Sequence, residues 1–98
     1  MPMRISEAQK LIREIYGERD RKRGIVKTAL HLGEELGELF HALRTNNVDN
    51  LREEFADVLA WLLSLSDLIS VDLEDAFITR YGEGCPKCRS IPCKCPEV

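Results

Sequence analysis

Apolar residues recur every three or four positions through two long stretches of the sequence, residues 25–43 and 51–69. This period matches one face of an α-helix, whereas a half-buried strand needs alternating apolar and polar residues, which no segment sustains over a useful length. Leucine occurs thirteen times and valine five times, and leucine favours helices where valine favours strands. The pattern predicts an all-α protein built around two long helices.

The first helix is predicted from its flanking residues. Ser6 followed by Gln9 has the spacing of a capping box, and Gly17 suits a helix end. We therefore expect a helix over residues 7–16. The polar, basic segment Gly17–Gly24 is predicted to be a connection.

The remaining helices follow from apolar periodicity and capping residues. A second helix is predicted over about residues 22–44, followed by a break at residues 45–47. Asp49 is a suitable cap for a third helix over about residues 50–69. Asp72 is expected to cap a short last helix that ends at about Arg80, and two glycines then end regular structure.

The connections predict an antiparallel bundle. Two long helices joined by a short turn pack side by side in opposite directions. We expect a four-helix domain over residues 1–82 and a cysteine-rich tail over residues 83–98. Because two of the four helices are short and bury little surface, the chain is predicted to form a homodimer or homotetramer.

Charge and hydropathy exclude several classes of function. Residues 28–84 contain three basic and twelve acidic side chains, a balance that repels phosphate, so we expect no direct binding to nucleic acid. No apolar run approaches the roughly 18 residues of a membrane span, which predicts no membrane insertion. The N-terminal residues lack the apolar stretch of a secretory signal, which predicts a cytoplasmic protein.

Four acidic residues on the two long helices form a candidate metal site. Glu35 and Glu38 lie on neighbouring turns of one side of the second helix, as do Glu54 and Asp57 on the third. Glu54 borders the apolar stripe, where a carboxylate is costly to bury without a cation. In an antiparallel hairpin the four could converge, and hard oxygen ligands suit Mg²⁺ or Mn²⁺.

The alternative is a solvated acidic face, which is what most charge runs form. Against it, residues 28–60 contain only two basic side chains, Arg44 and Arg52. Like charges at three- and four-residue spacing destabilise a helix unless a counter-ion is present. The pattern by itself leaves both interpretations open.

These acids resemble the motif of the MazG-like all-α nucleotide pyrophosphohydrolases. Its two halves here, separated by fifteen residues, are Glu34-Glu35-x-x-Glu38 and Glu54-x-x-Asp57. The flanking segments GEELGELFHAL and EEFADVLAWLLSL are similar to the family too. The resemblance covers about residues 22–81.

The resemblance implies a Mg²⁺-dependent enzyme that hydrolyses (d)NTP to (d)NMP and pyrophosphate, with a role in nucleotide-pool housecleaning. Glu35, Glu38, Glu54 and Asp57 would bind the metal, and Glu34 would orient or deprotonate the attacking water. Phosphoribosyl-ATP pyrophosphohydrolase shares the acidic pattern and is an alternative. A non-catalytic helical dimerisation module with a zinc-binding tail is another.

Two further residues are candidates for substrate binding. Lys27 lies where family members often carry a lysine that reaches the phosphates, and Trp61 could stack on a base; a surface lysine and a packing tryptophan are the alternatives. His31 and His41 are interpreted as surface or interface residues. Although Glu38 and His41 form half of a di-iron signature, the partner motif is ExxD, which favours magnesium.

All four cysteines lie in the tail, as C-x₂-C-x₄-C-x-C. In a reducing compartment, clustered cysteines more often hold a metal than form disulfides. We expect Cys85, Cys88, Cys93 and Cys95 to bind one structural Zn²⁺, because a site with four thiolates has no open coordination position. A disordered reduced tail and two disulfides are the alternatives.

Overall fold

Four α-helices account for the regular structure of the computed structural model, which describes residues 2–97. In chain order they are α1 (Ile5–Arg23), α2 (Ile25–Thr45), α3 (Val48–Leu68) and α4 (Leu73–Tyr81). The cysteine-rich segment follows α4 without further helix or strand in its described part. The prediction of an all-α fold with four helices is confirmed.

The first helix is much longer than predicted, because α1 continues through the segment expected to be a connection. Gly17 is buried inside α1 and does not have a left-handed backbone. The Glu, Arg and Lys residues that follow it favour helices. The helix ends instead at Gly24, which has φ +87° and whose N–H donates to the carbonyl of Asp20 (2.9 Å). Gly24 thus has the role predicted for Gly17, since glycine adopts positive φ without steric cost.

The α2–α3 hairpin turns through two residues. Asn46 adopts the left-handed conformation (φ +55°) and ends α2, while the Asn47 side chain accepts a hydrogen bond from the N–H of Asn50 (3.2 Å). Asn47, rather than the predicted Asp49, is therefore the cap of α3. So short a link makes the two helices antiparallel, and their contact is the most extensive in the chain.

The Gln9 side chain joins α1 to the segment before α4. Its Nε2 donates to the carbonyl of Val71 (2.8 Å), and its Oε1 accepts from the N–H of Leu73 (3.1 Å). The capping box predicted for α1 is wrong in register, because Glu7 accepts the N–H of Arg4 (2.9 Å) at the start of the helix. Gln9 instead satisfies two backbone groups that would otherwise lack a partner.

Helix α4 is fixed at its first turn. Asp72 accepts from the N–H of Asp75 (3.1 Å), so its predicted role as the cap is confirmed. Glu74 pairs with Arg4 and also accepts from the N–H of Ser6 (3.3 Å). The hydrogen bond from Arg4 is the main reason why the pKa of Glu74 is lowered from its ordinary value. These contacts hold α4 against the start of α1.

The apolar core of the single chain is small. Its buried apolar residues are Leu39, Ala42 and Leu63. Many large apolar side chains on α2 and α3 are instead exposed, among them Val26, Leu30, Phe40, Leu43, Phe55 and Leu59. None of the helices in the described residues is both long enough and apolar enough to cross a membrane.

Candidate metal centre

Three glutamates meet between α2 and α3. Glu38 lies eight residues before Asn46 and Glu54 eight residues after it, so the antiparallel hairpin places them at the same level. Glu35 lies one turn before Glu38 on the same side of α2. One carboxylate oxygen from each of the three glutamates lies within 4.8 Å of the other two. The structure therefore brings together three of the five acids singled out in the sequence.

Two of these carboxylates have buried oxygens without a hydrogen-bond partner in the part of the chain that the structure describes. They are Oε2 of Glu35 and Oε2 of Glu54, and the Glu54 residue is only 9% exposed. A buried carboxylate oxygen without a partner is costly, and such atoms are rare in folded proteins. A set of close, hard oxygen donors can satisfy them by holding a divalent cation.

The electrostatics of the cluster favour protonation. Burial raises the pKa of Glu35 to about 7, and the charges of Glu38, Asp57 and Glu54 add to this effect. Burial also raises the pKa of Glu54, again with Glu38 and Asp57 contributing. Mutual repulsion of this kind is relieved by a proton or by a metal ion.

Asp57 and Glu34 lie at the edges of the cluster. Asp57 is exposed, one turn beyond Glu54, and acts on the buried pair through its charge. Glu34 is exposed too, and its Oε2 lies 3.4 Å from Nδ1 of His31. A surface groove is lined by Glu34, Glu38 and Glu54, so Glu34 borders the cluster from the solvent side.

Trp61 is half-buried one turn beyond Asp57 and is packed against its own chain. The His31 ring stacks on it with centroids 4.8 Å apart and planes inclined by 16°. The Arg23 guanidinium carbon lies 4.7 Å from the centroid of the Trp61 ring, a distance typical of a cation–π interaction. His31, which the sequence suggested was a surface or interface residue, therefore helps to fix the tryptophan.

Arg23 is held in this position by two buried residues. Its Nη1 lies 2.7 Å from Oδ1 of Asp20 and 3.5 Å from Oγ1 of Thr28. The guanidinium supplies the partner that a buried aspartate requires. Sequence reasoning missed this contact because it assigned both ionic residues to a connection. The available signal was the i,i+3 spacing of Asp20 and Arg23, which suits a helix.

A cavity of about 150 Å³ opens beside these groups. Its lining comes from α1 and α3 and consists of Tyr16, Asp20, Arg23, Asp57, Ala60, Trp61 and Ser64. Asp57 thus faces the cavity while lying next to the glutamates. The cavity and the carboxylate cluster are neighbouring parts of one region.

The other candidates lie outside the group of converging oxygens. Lys27 is exposed in the first turn of α2. His41 lines the same groove as Glu34, but it is not among the residues whose donor atoms converge in the described chain.

The tail contains a second cluster able to hold a metal. One sulfur from each of Cys85, Cys88, Cys93 and Cys95 lies within 4.8 Å of the others, and all four are free thiols. The Lys94 N–H donates to Sγ of Cys88 (3.2 Å), and this bond is the main cause that lowers the pKa of Cys88 to about 6. The predicted grouping of the cysteines is therefore present in the structure.

Comparison with models of protein families gives a match over most of the chain. The family model described as the MazG nucleotide pyrophosphohydrolase domain matches residues 23–88, about two thirds of the chain. The matched range includes α2, α3 and α4, and therefore every acid of the cluster, but it omits almost all of α1. No curated protein matches the sequence.

Proposed function

Because the chain belongs to the MazG nucleotide pyrophosphohydrolase family, we propose that it hydrolyses a nucleoside triphosphate to the monophosphate and pyrophosphate with Mg²⁺ bound between α2 and α3. The observation that carries this proposal is the pair of buried oxygens, Oε2 of Glu35 and Oε2 of Glu54, without hydrogen-bond partners among the described residues. A scaffold would gain stability by replacing such groups, whereas a metal site requires them.

The ligand set fits a hard divalent cation. Glu35, Glu38 and Glu54 supply close oxygens from facing helices. Asp57, one turn further along α3, is proposed as the fourth ligand. All are oxygen donors, which suit Mg²⁺ and also Mn²⁺. When bound there, the metal neutralises charge on the phosphoryl oxygens and lowers the pKa of water.

Glu34 is the residue we assign to the attacking water. It is exposed beside the groove that contains Glu38 and Glu54, and contact with His31 restricts its position. A carboxylate in this place accepts a hydrogen bond from water and aims the oxygen at phosphorus. In-line attack at the α-phosphorus then expels pyrophosphate.

The cavity next to Asp57 is proposed to receive the nucleobase. Trp61 supplies an aromatic wall, and Asp20, Arg23 and Ser64 supply polar groups that a base edge can meet. Aromatic walls with a few placed polar groups are typical of small-molecule sites. Lys27, exposed at the positive end of the α2 dipole, is proposed to approach the phosphates.

A second copy of the chain is proposed to cover the outer face of α2. Val26, Leu30, Gly33, Gly37 and Phe40 follow the alternating four- and three-residue spacing of a helix seam. The three large residues are 61–72% exposed, and open space surrounds both glycines. An apolar stripe of this length is typical of a helix-to-helix interface, here in a homodimer or homotetramer.

The proposal is tested with a panel of (d)NTPs and phosphoribosyl-ATP, assayed with Mg²⁺ while pyrophosphate and orthophosphate are measured separately. We expect pyrophosphate from at least one (d)NTP and no turnover in EDTA. Hydrolysis of phosphoribosyl-ATP alone would replace the proposal with the narrower activity. A folded protein inactive on the whole panel would instead be the non-catalytic dimerisation module.

A further inference from the structure

The cysteine-rich tail has the geometry of a mononuclear metal site. We propose that Cys85, Cys88, Cys93 and Cys95 bind one Zn²⁺ per chain as a structural site, separate from the glutamate cluster. The Sγ atoms of Cys85 and Cys95 are 3.7 Å apart, and all four sulfurs fall within 4.8 Å of one another. Zinc–sulfur bonds of about 2.3 Å in a tetrahedron place sulfurs about 3.8 Å apart. The sulfurs thus lie close to the spacing that zinc imposes.

A tight backbone turn holds the first cysteine pair. The N–H of Cys85 donates to the carbonyl of Ser90 (3.1 Å), and the carbonyl of Cys85 accepts from the N–H of Arg89 (2.6 Å). Gly84 permits this turn, because it has φ +105° and any Cβ there would lie 2.7 Å from the Ser90 carbonyl oxygen. The chain therefore closes into a knuckle directly after α4.

Backbone amides point at two of the sulfurs. The N–H of Lys94 donates to Sγ of Cys88 (3.2 Å), and the N–H of Cys95 donates to Sγ of Cys93 (3.4 Å). Donors of this kind orient metal ligands and stabilise their negative charge. They also fix the direction of both sulfurs without any apolar packing.

In residues 83–97, the described part of the tail, there is no apolar core that could hold this arrangement by itself. Ile91 is the one large apolar side chain in residues 83–97, and it is 82% exposed. Segments too short to bury a core usually fold around a metal or disulfides. The convergence of four cysteines in such a segment is accounted for by a metal.

Zinc accounts for the geometry better than the alternatives. A disulfide needs sulfurs about 2.05 Å apart, whereas the four thiols converge on one another without a bond. A two-iron cluster binds each cysteine pair to a different iron and so separates the pairs. Zinc binding needs no electron transfer: the metal enters as Zn²⁺, and each thiol that ligates it releases its proton to solvent.

The test uses the full chain, reduced, stripped of metal by a chelator, and titrated with Co²⁺ and then Zn²⁺. We expect one equivalent of Co²⁺ to give the intense absorption of a tetrahedral four-thiolate site and one equivalent of Zn²⁺ to remove it. Cys85→Ser and Cys95→Ser should lose that absorption while retaining the helical circular dichroism. Lys94→Ala, which leaves the backbone donor in place, is the matched control and should bind as the parent chain does.

Three outcomes would overturn the proposal. The first is protein purified without added metal that holds no zinc and binds no Co²⁺ at the tail. The second is iron with the visible spectrum of a cluster. The third is an unchanged Co²⁺ spectrum in the cysteine variants, which would assign the metal to other residues.

Discussion

Glu35 and Glu54 face each other across the α2–α3 hairpin, with a carboxylate oxygen of one within 4.8 Å of a carboxylate oxygen of the other. Each also has a buried Oε2 without a hydrogen-bond partner in the described chain. Burial raises the pKa of both residues, and the charges of Glu38 and Asp57 add to the effect. The pair therefore destabilises the metal-free protein. Binding of a cation is the change that most directly relieves this destabilisation.

Replacing one member of this pair should separate stability from activity. Glu54→Gln removes a charge from the repelling cluster, so the metal-free melting temperature should rise. The same change removes a metal ligand, so activity should fall by about 100-fold or more. This loss exceeds the usual loss of activity when a residue that only hydrogen-bonds to a metal ligand is replaced. Thermal melts and pyrophosphate assays, both with and without Mg²⁺, measure the two effects.

Glu53→Gln is the matched control, because it makes the same chemical change at an exposed neighbour outside the cluster. Glu53→Gln should change neither the metal-free melting temperature nor the activity appreciably. Full activity in Glu54→Gln would show that Glu54 is not part of the site. A lowered metal-free melting temperature would contradict the proposed repulsion between the carboxylates of the cluster.

The stability of the metal-free protein should depend on pH. The pKa of Glu35 is about 7 in the folded chain, against an ordinary value of 4.5. A carboxyl with a raised pKa contributes its full stability below its unfolded pKa and loses it as pH rises through the folded pKa. The melting temperature should therefore fall between about pH 5 and 7.5, and saturating Mg²⁺ should reduce that fall.

Glu74 has the opposite effect, because its pKa is lowered. The stability that it contributes is lost only as pH falls below the ordinary pKa of a glutamate, which lies outside the pH window given above. Glu35→Gln is the diagnostic variant, since it should flatten the metal-free profile. An equal slope in the variant and the parent would assign the pH dependence to other groups.

The Asp20–Arg23 pair should support both stability and substrate binding. Asp20→Ala leaves the guanidinium without its buried partner and should cost roughly 1–3 kcal/mol of unfolding free energy. Because Arg23 also packs over Trp61 at the cavity, Arg23→Ala should raise KM more than it lowers kcat. Denaturant titration and steady-state kinetics test these expectations.

Glu18→Ala is the control on the same helix, since its contact with Lys22 is fully on the surface and such pairs contribute little. A KM in Arg23→Ala equal to that of the parent would exclude the cavity as the base site.

The exposed stripe on α2 should be an interface between copies. Phe40→Glu places a charge within the apolar stripe of the proposed contact and should dissociate the oligomer to the 11.2 kDa chain. Lys10→Glu, at an exposed polar position on α1, should not. Light scattering at micromolar concentration checks this, and a parent chain that is already a stable monomer would contradict it.

Sequence reasoning located the hairpin well and the first helix poorly. The apolar period of α2 and α3 is strong, and asparagines are typical of such a turn, so both helices are predicted to within three residues at each end. Gly17 misled the prediction because its local signal is the same whether glycine ends a helix or lies buried inside one. Only tertiary packing, seen here in the contacts of Gln9 and Asp20, distinguishes a glycine that ends a helix from a glycine buried inside one.

The same limit applies to the site. The i,i+3 spacing of Glu35 and Glu38, together with the antiparallel hairpin, predicts their convergence with Glu54. The packing of α1 across the hairpin determines which carboxylate oxygens are buried. It also determines that Asp57 faces the neighbouring cavity. The interpretation of residues 17–24 as a connection leaves no way to predict what α1 contributes to the site.

The most direct test of the proposed chemistry is the fate of the water oxygen. The best substrate from the nucleotide panel is hydrolysed with Mg²⁺ in H₂¹⁸O, and both products are analysed by mass spectrometry. Attack at the α-phosphorus predicts one ¹⁸O atom in the nucleoside monophosphate and none in pyrophosphate. Label in pyrophosphate, or release of labelled orthophosphate, would contradict the account.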